Sequence, residues 1–221
     1  MLMSYICFSD VSKSFNKMPV LSSVSFNIEK GEICGFTGRN GSGKTVIFKL
    51  MTGLLIPDSG TVTVNGENLV RDGRFFESTG VMIETPGFIP HYSGLKNLKV
   101  LNSMSARPAK TKEIKALMAR LGLDPKNRRP VRTYSLGMRQ KLGIIQAVMN
   151  APELLVLDEP MNSLDAESVN EIRTLLAELN RNGSTIILAS HIAQDIEALC
   201  TRTFSIENAV VSETTGTKGS L

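Results

Sequence analysis

Apolar positions recur along the chain with two different periods. Leu21, Val24, Phe26 and Ile28 partly alternate with Ser22, Ser23, Ser25 and Asn27, the two-residue period of a half-buried strand. Tyr5-Ile6-Cys7-Phe8 is a shorter apolar run, and Ser12 to Lys17 reads as a polar loop carrying one aromatic, Phe15. Ile33 to Thr37, Gly80 to Glu84, Leu154 to Leu157 and Thr185 to Ala189 are short, nearly continuous apolar runs. Such runs mark strands buried on both faces. Ile114, Leu117, Met118 and Leu121 fall at i, i+3, i+4 and i+7, one face of a helix. Further helices are predicted from Val46 to about Gly53, from Ser93 with a break near Pro108, and over Leu136–Asn150 and Leu164–Asn182. A last helix ends near Cys200, and two short strands follow it. Thr61–Val64 followed by Asn65-Gly66 predicts an antiparallel hairpin. Strands alternating with helices predict an α/β protein with a parallel sheet.

One loop gives that alternation a purpose. Gly38-Arg39-Asn40-Gly41-Ser42-Gly43-Lys44-Thr45 follows a predicted strand and opens a predicted helix. G-x-x-x-x-G-K-[ST] in that context is a phosphate-binding P-loop. Its glycines let the backbone approach a ligand closely. Successive N–H groups and the helix N-terminus then favour an anion. Lys44 is placed for the β- and γ-phosphates of a nucleotide, and the Thr45 hydroxyl for Mg²⁺.

A second group of side chains matches the first. Asp158 and Glu159 end the buried run Leu154–Leu157, and ligands of a doubly wound sheet sit at strand carboxyl ends. Asp158 is a hard oxygen ligand suited to Mg²⁺ beside Thr45. Glu159 is left to orient or deprotonate a water that attacks the γ-phosphate. The bland alternative is a pair of helix N-capping acids, which the P-loop upstream makes the weaker reading. His191, also at a strand end, is a candidate hydrogen-bond donor to the γ-phosphate. His91 has no such placement and receives no role.

Bulk properties narrow the setting. The net charge of +4 suits a nucleotide or an anionic surface but is also that of an ordinary solvated protein. Lys126-Asn127-Arg128-Arg129-Pro130 reads as a solvated basic loop. Cys7, Cys34 and Cys200 are far apart and odd in number, so neither a disulfide framework nor a metal site is expected. No run approaches the ~20 apolar residues of a membrane-spanning helix, and the N-terminal run lacks the form of a signal peptide. Work at a membrane would need a second polypeptide to cross it.

Tyr134-Ser135-Leu136-Gly137-Met138-Arg139-Gln140 stands at the head of a predicted helix, shortly before the paired carboxylates. Its serine and glycine resemble the signature loop, usually Leu-Ser-Gly-Gly-Gln, of ATP-binding subunits of ABC transporters. Tyr134, Leu136 and Met138 depart from that pattern. The resemblance covers about residues 4 to 211. It implies that Phe15 stacks on adenine and that Asn162-Ser163-Leu164-Asp165 is the D-loop. It implies that His191 is the switch histidine, and that Ser135 and Gly137 contact ATP held by a second copy. Glu84 stands where most members have the Q-loop glutamine, which implies a place for it near the metal and phosphates. Glu84-Thr85-Pro86-Gly87-Phe88, with Ser93-Gly94-Leu95-Lys96-Asn97-Leu98, is similar to the bacterial subgroup exporting bacitracin-like and lantibiotic peptides.

The resulting expectation is one cassette. Residues 1–85 and 150–211 form a P-loop core with an antiparallel β-subdomain, 86–149 a helical signature subdomain, and 212–221 a disordered polar tail. ATP and Mg²⁺ bind between two cassettes, a homodimer at the cytoplasmic face of the membrane. The helical subdomain docks on a separate transmembrane permease, and no nucleic acid is involved. Two rivals are a soluble ABC ATPase working on ribosomes or DNA, and a module that holds ATP without hydrolysing it. The first usually has two fused cassettes or a long coiled-coil insertion. The second is disfavoured by intact Lys44, Asp158, Glu159 and His191.

Overall fold

The computed structural model describes residues 4–69, 78–84 and 86–214. Met1 to Met3, Thr85 of the predicted Glu84 loop, and positions 215–221 of the predicted tail lie outside the described residues.

Strands β1 (Ile6–Phe15), β2 (Met18–Ile28), β3 (Ile33–Thr37), β4 (Ser59–Val64), β5 (Glu67–Asn68) and β6 (Thr79–Met82) occupy the first part of the chain, with helix α1 (Lys44–Met51) between β3 and β4. Helices α2 (Gly94–Asn102), α3 (Thr111–Arg120) and α4 (Leu136–Val148) follow. Then come β7 (Leu154–Asp158), α5 (Ala166–Arg181), β8 (Thr185–Ala189), α6 (Ala193–Leu199), β9 (Arg202–Glu207) and β10 (Val210–Thr214).

The strands form two sheets. β2-β1-β4-β5 is antiparallel, and β10-β9-β3-β8-β7-β6 is parallel apart from β10. The continuous apolar runs become the middle of the second sheet because both its faces are covered. Leu155 and Leu157 of β7 face one core with Ile144, Ile145 and Ile172 of the covering helices. Leu154 and Val156 face the other, with Phe48 of α1 and Val62 of the antiparallel sheet. Phe8, Phe26, Phe36 and Phe204 bridge the sheets through ring contacts of 4.5 to 5.7 Å. Each fully buried aromatic of this kind contributes about 1.5–3 kcal/mol by leaving water.

On the opposite edge, helix α4 lies close to β6. A Cβ on Gly80 would stand 2.0 Å from the Ala147 carbonyl oxygen, so only glycine permits that approach. The helix stripe read from the sequence is inward: Ile114, Met118 and Leu121 are buried. Desolvation pushes the thiol of Cys200 up to about 12 and raises that of Cys34, and all three cysteines are free.

Three boundaries differ from the sequence reading. Ser12 to Phe15, expected as a loop, continue β1 through irregular register against β2. Polar residues are tolerated there because they find partners: Lys13 Nζ and the Ser14 N–H donate to Asp58, and Ser12 Oγ accepts from the Ser23 N–H. The Gly80 strand stops at Met82, two residues before Glu84, whose φ of +60° takes the backbone out of extended geometry. β10 runs to Thr214, three residues into the expected tail, because Ser212, Glu213 and Thr214 pair with β9.

Candidate functional site

The P-loop joins the carboxyl end of β3 to the start of α1, and local conformation explains its glycines. Gly38 has φ +148° and Gly43 +112°, values open to glycine. A Cβ on Gly38 would also stand 2.8 Å from the Ile206 carbonyl oxygen. Gly43 occupies the N-cap of α1, and no side chain caps that helix. Its first N–H groups are therefore left for another acceptor. Lys44 is buried, and its Nζ donates to the carbonyls of Gly38 at 2.7 Å and Arg39 at 3.2 Å. Ser42 Oγ is buried with no hydrogen-bond partner among the described residues. An orphaned hydroxyl, an uncapped helix start and a lysine in one loop fit a phosphate group.

Strand order brings the carboxylates to this loop. Thr45 Oγ1 donates to Asp158 Oδ2 at 2.7 Å. A hydroxyl and a carboxylate so placed suit a divalent cation that completes its shell with phosphate oxygens and water. Among the described residues no three His, Cys, Asp or Glu side chains converge as a metal cage. Glu159 has φ +50°, and its N–H donates to Ala189 O at 3.0 Å. This turn aims its side chain across to the end of β8. There Glu159 Oε2 lies 2.8 Å from His191 Nδ1 and accepts from the His191 N–H at 3.3 Å. A cleft of about 570 Å³ is lined by Lys44, Thr45, Asp158, Glu159, Gln140 and Glu84, together with Asn40, Gly41 and Gly43.

The remaining expected residues are placed less directly. Glu84 reaches the rim of the cleft, but its side chain is 62% exposed and its Oε1 pairs with Lys49 Nζ at 2.6 Å. The carboxylate expected to face a metal is thus shared with a lysine. Phe15 is exposed at the β1–β2 turn, with Lys13 Nζ 5.6 Å from its ring centroid, and it does not line the cleft. Asp165 caps α5: its side chain accepts from the Ser168 N–H at 2.8 Å, and that bond, first among its partners, lowers its pKa. Its Oδ1 is engaged within the chain, and Asp165 does not line this chain's cleft. Ser135 caps α4 by accepting from Met138 N–H at 3.2 Å. A Cβ on Gly137 would come within 3.1 Å of Ser163 O, so the head of α4 and the loop before α5 abut. Neither Ser135 nor Gly137 lines the cleft of its own chain.

Two features escaped the sequence reading. Gln140 Nε2 donates to the carbonyls of Glu159 at 2.8 Å and Pro160 at 3.0 Å, tying α4 to the Glu159 turn. Asp195 is 1% exposed. It accepts from Arg173 Nη2 and, at 3.0 Å, from Ser190 Oγ, which in turn accepts from Ile192 N–H at 3.1 Å. This bracket spans His191 from both sides. Its only sequence signal was an acid four residues after the histidine.

The Lys49 pair makes Glu84 testable. Glu84→Gln is expected to raise the Mg²⁺ needed for half-maximal ATPase by about 2–5-fold, the range of one nearby charge at high effective dielectric. Lys49→Met frees the carboxylate and is expected to lower it. Stability should change by less than about 1 kcal/mol, as for an exposed ion pair. Identical Mg²⁺ titrations for all three proteins would leave Glu84 a surface carboxylate.

Comparison with known proteins agrees with this geometry. The family model described as ABC transporter matches residues 21–162. An uncharacterized ABC transporter ATP-binding protein, YybJ of Bacillus subtilis (strain 168), is 38% identical over 191 residues, covering 86% of this chain and 87% of YybJ. The bacitracin transport ATP-binding protein BcrA of Enterococcus faecalis is 39% identical over 202 residues, and the match spans 90% of this chain but only 65% of BcrA. The lantibiotic transport ATP-binding protein SrtF of Streptococcus pyogenes is 37% identical over 190 residues, 86% of this chain and 81% of SrtF. A solved ATP-binding subunit of an ABC transporter superposes with TM-score 0.86 at 25% identity, over 96% of this chain and 90% of its own. A bacterial ABC transporter cassette solved as a dimer gives 0.88 at 22% identity, over 96% and 99%.

Proposed function

Because the chain belongs to the ABC transporter ATP-binding family, we propose that it hydrolyses ATP to power a separate membrane permease, with an antimicrobial peptide or similar amphipathic compound as exported cargo. The observation that carries the catalytic part is the convergence of Lys44, Thr45, Asp158, Glu159 and His191 from three strand ends. The peptide cargo is supported by the bacitracin and lantibiotic transport names of the relatives. Those names also favour a permease partner over ribosomes or DNA. Among the described residues no helix is long and apolar enough to cross a membrane, so the permease would be another polypeptide, with this subunit peripheral to it at the cytoplasmic face.

Each residue's part follows from its surroundings. The P-loop N–H groups and Lys44 would hold the β- and γ-phosphates, displacing the Lys44 ammonium from the Gly38 and Arg39 carbonyls. Thr45 and Asp158 would hold Mg²⁺, which supplies charge neutralisation on the phosphate oxygens. Glu159 would take a proton from the attacking water as its oxygen bonds to the γ-phosphorus. The bond to the β–γ bridging oxygen breaks, leaving ADP and phosphate. His191, with Nδ1 on Glu159, would keep that carboxylate in place and offer Nε2 to the γ-phosphate.

Ser135 and Gly137, which do not line this chain's own cleft, would complete the site of a second copy. ATPase activity per protomer is therefore expected to rise with protein concentration and to fall at least tenfold in Gly137→Asp, which puts a carboxylate against a partner's phosphates. Activity per protomer that is constant on dilution would overturn the shared site. Purification from the native membrane without any accompanying permease would overturn the transport part alone.

A further inference from the structure

Charge is divided unevenly along the chain. Residues 86–149 hold 13 of the 25 lysines and arginines but 2 of the 21 acidic residues, a net +11 against −7 for the remainder. Packing sends these cations outward. Helix α2 buries Gly94, Asn97 and Leu98, leaving Lys96, Lys99 and Val100 exposed at i, i+3 and i+4. Helix α3 buries Ile114 and Met118 and exposes Lys112 and Lys115.

Backbone contacts gather the basic loops around α2. Val131 N–H donates to Tyr92 O at 2.8 Å and Arg132 N–H to Pro90 O at 3.0 Å, which sets exposed Arg129 and Arg132 beside the start of the helix. Asn102 and Ala109 exchange two hydrogen bonds of 2.9 Å, which sets Lys110 beside its end. Among the described residues, none of these exposed cations has a carboxylate within ion-pairing distance. Arg120, with Glu171 and Glu178, is the insert's ion-paired cation.

We infer that the outer face of this helical insert is a binding surface for anionic lipid headgroups, so that the subunit adheres to an acidic bilayer through its own side chains. The cations are spread over two helices and the loops at either end of α2 rather than gathered in a cleft, a distribution that suits many anionic headgroups better than one small anion. Apolar side chains stand among them. Val100 shares the Lys96–Lys99 face, and Met104, just past the helix, is 80% exposed. Basic residues around an exposed apolar side chain make up an interfacial surface. The inference needs neither nucleotide nor permease, and only its cellular meaning rests on the membrane location proposed above.

The test is co-sedimentation of the full chain, alone, with vesicles. Retention is expected on phosphatidylglycerol mixed into phosphatidylcholine, little on phosphatidylcholine alone, and release as salt shortens the screening length. The double variant Lys96→Gln/Lys99→Gln should bind about 25-fold more weakly, about fivefold for each cation at an anionic surface. Its ATPase and melting should stay as in the parent. The control pair Lys17→Gln/Lys30→Gln, outside the insert, should bind as the parent does. Equal retention on neutral vesicles, an unaffected Lys96/Lys99 variant, or an equally weakened control would overturn the inference. So would tighter capture by duplex DNA, which assigns the face to nucleic acid, or retention only on vesicles containing a permease, which assigns it to a protein.

Discussion

Replacing Lys44 by alanine is expected to weaken ATP binding by about 10²–10³-fold and to remove measurable hydrolysis, while the protein stays folded. A lysine ammonium about 4 Å from a phosphate charge contributes about 4 kcal/mol at an effective dielectric of 20. Part of that is offset because Nζ already donates to the carbonyls of Gly38 and Arg39. Those same bonds brace the loop, so a loss of about 1–2 kcal/mol in stability is expected from the two hydrogen bonds. Binding of a fluorescent ATP analogue, read beside a thermal melt, separates the two effects. Parental affinity in a folded Lys44→Ala protein would remove the P-loop from nucleotide binding.

Glu159→Gln should leave ATP affinity near that of the parent and lower turnover by about 10²–10⁴-fold, the usual contribution of a placed general base. The substitution is nearly isosteric and keeps the +50° φ no more strained than before. A glutamine can still bond to His191, so the turn should persist. What is lost is the ability to accept a proton. With closure by ATP no longer undone by hydrolysis, dimers should accumulate on gel filtration in ATP and Mg²⁺. His191→Ala should act in the same direction but less, because it removes the brace and not the base. Unchanged turnover in Glu159→Gln would assign the proton to another group.

The placement of these two residues at one cleft was legible in the sequence because its signals are local. Lys44 sits in a fixed eight-residue pattern, and Glu159 follows an apolar run that can hardly be anything but a buried strand. The helices of the insert were legible for a similar reason, since α3 carries its own period in Ile114, Leu117, Met118 and Leu121. Legibility failed where side chains meet across distance. Lys49 and Glu84 are 35 residues apart and Arg173 and Asp195 22 apart, and nothing in either neighbourhood marks the pairing. Gln140 looked like the end of a motif, yet its amide reaches two carbonyls 19 and 20 residues on. At Asp165 the simplest local rule already describes the observed bond, an acid at a helix start capping that helix through the Ser168 N–H. Ser12 to Phe15 were lost to their polarity, because what makes them strand is pairing with Met18 to Leu21 and the contacts to Asp58, neither of which leaves an apolar period.

The order of the parallel sheet sets a timetable for synthesis. β3 carries the P-loop, but its two neighbours are β8 and β9, paired through Ile33–Ile186 and Cys34–Arg202. A ribosome has therefore added some 150 residues after the phosphate loop before that strand can be flanked on either side. Until then Thr45 has no Asp158 and Glu159 has no His191. Pairings so distant along the chain close slowly, and the half-made sheet exposes strand edges meanwhile. The nascent protein thus carries its nucleotide motif through all of that stretch before the strands that complete the cleft exist.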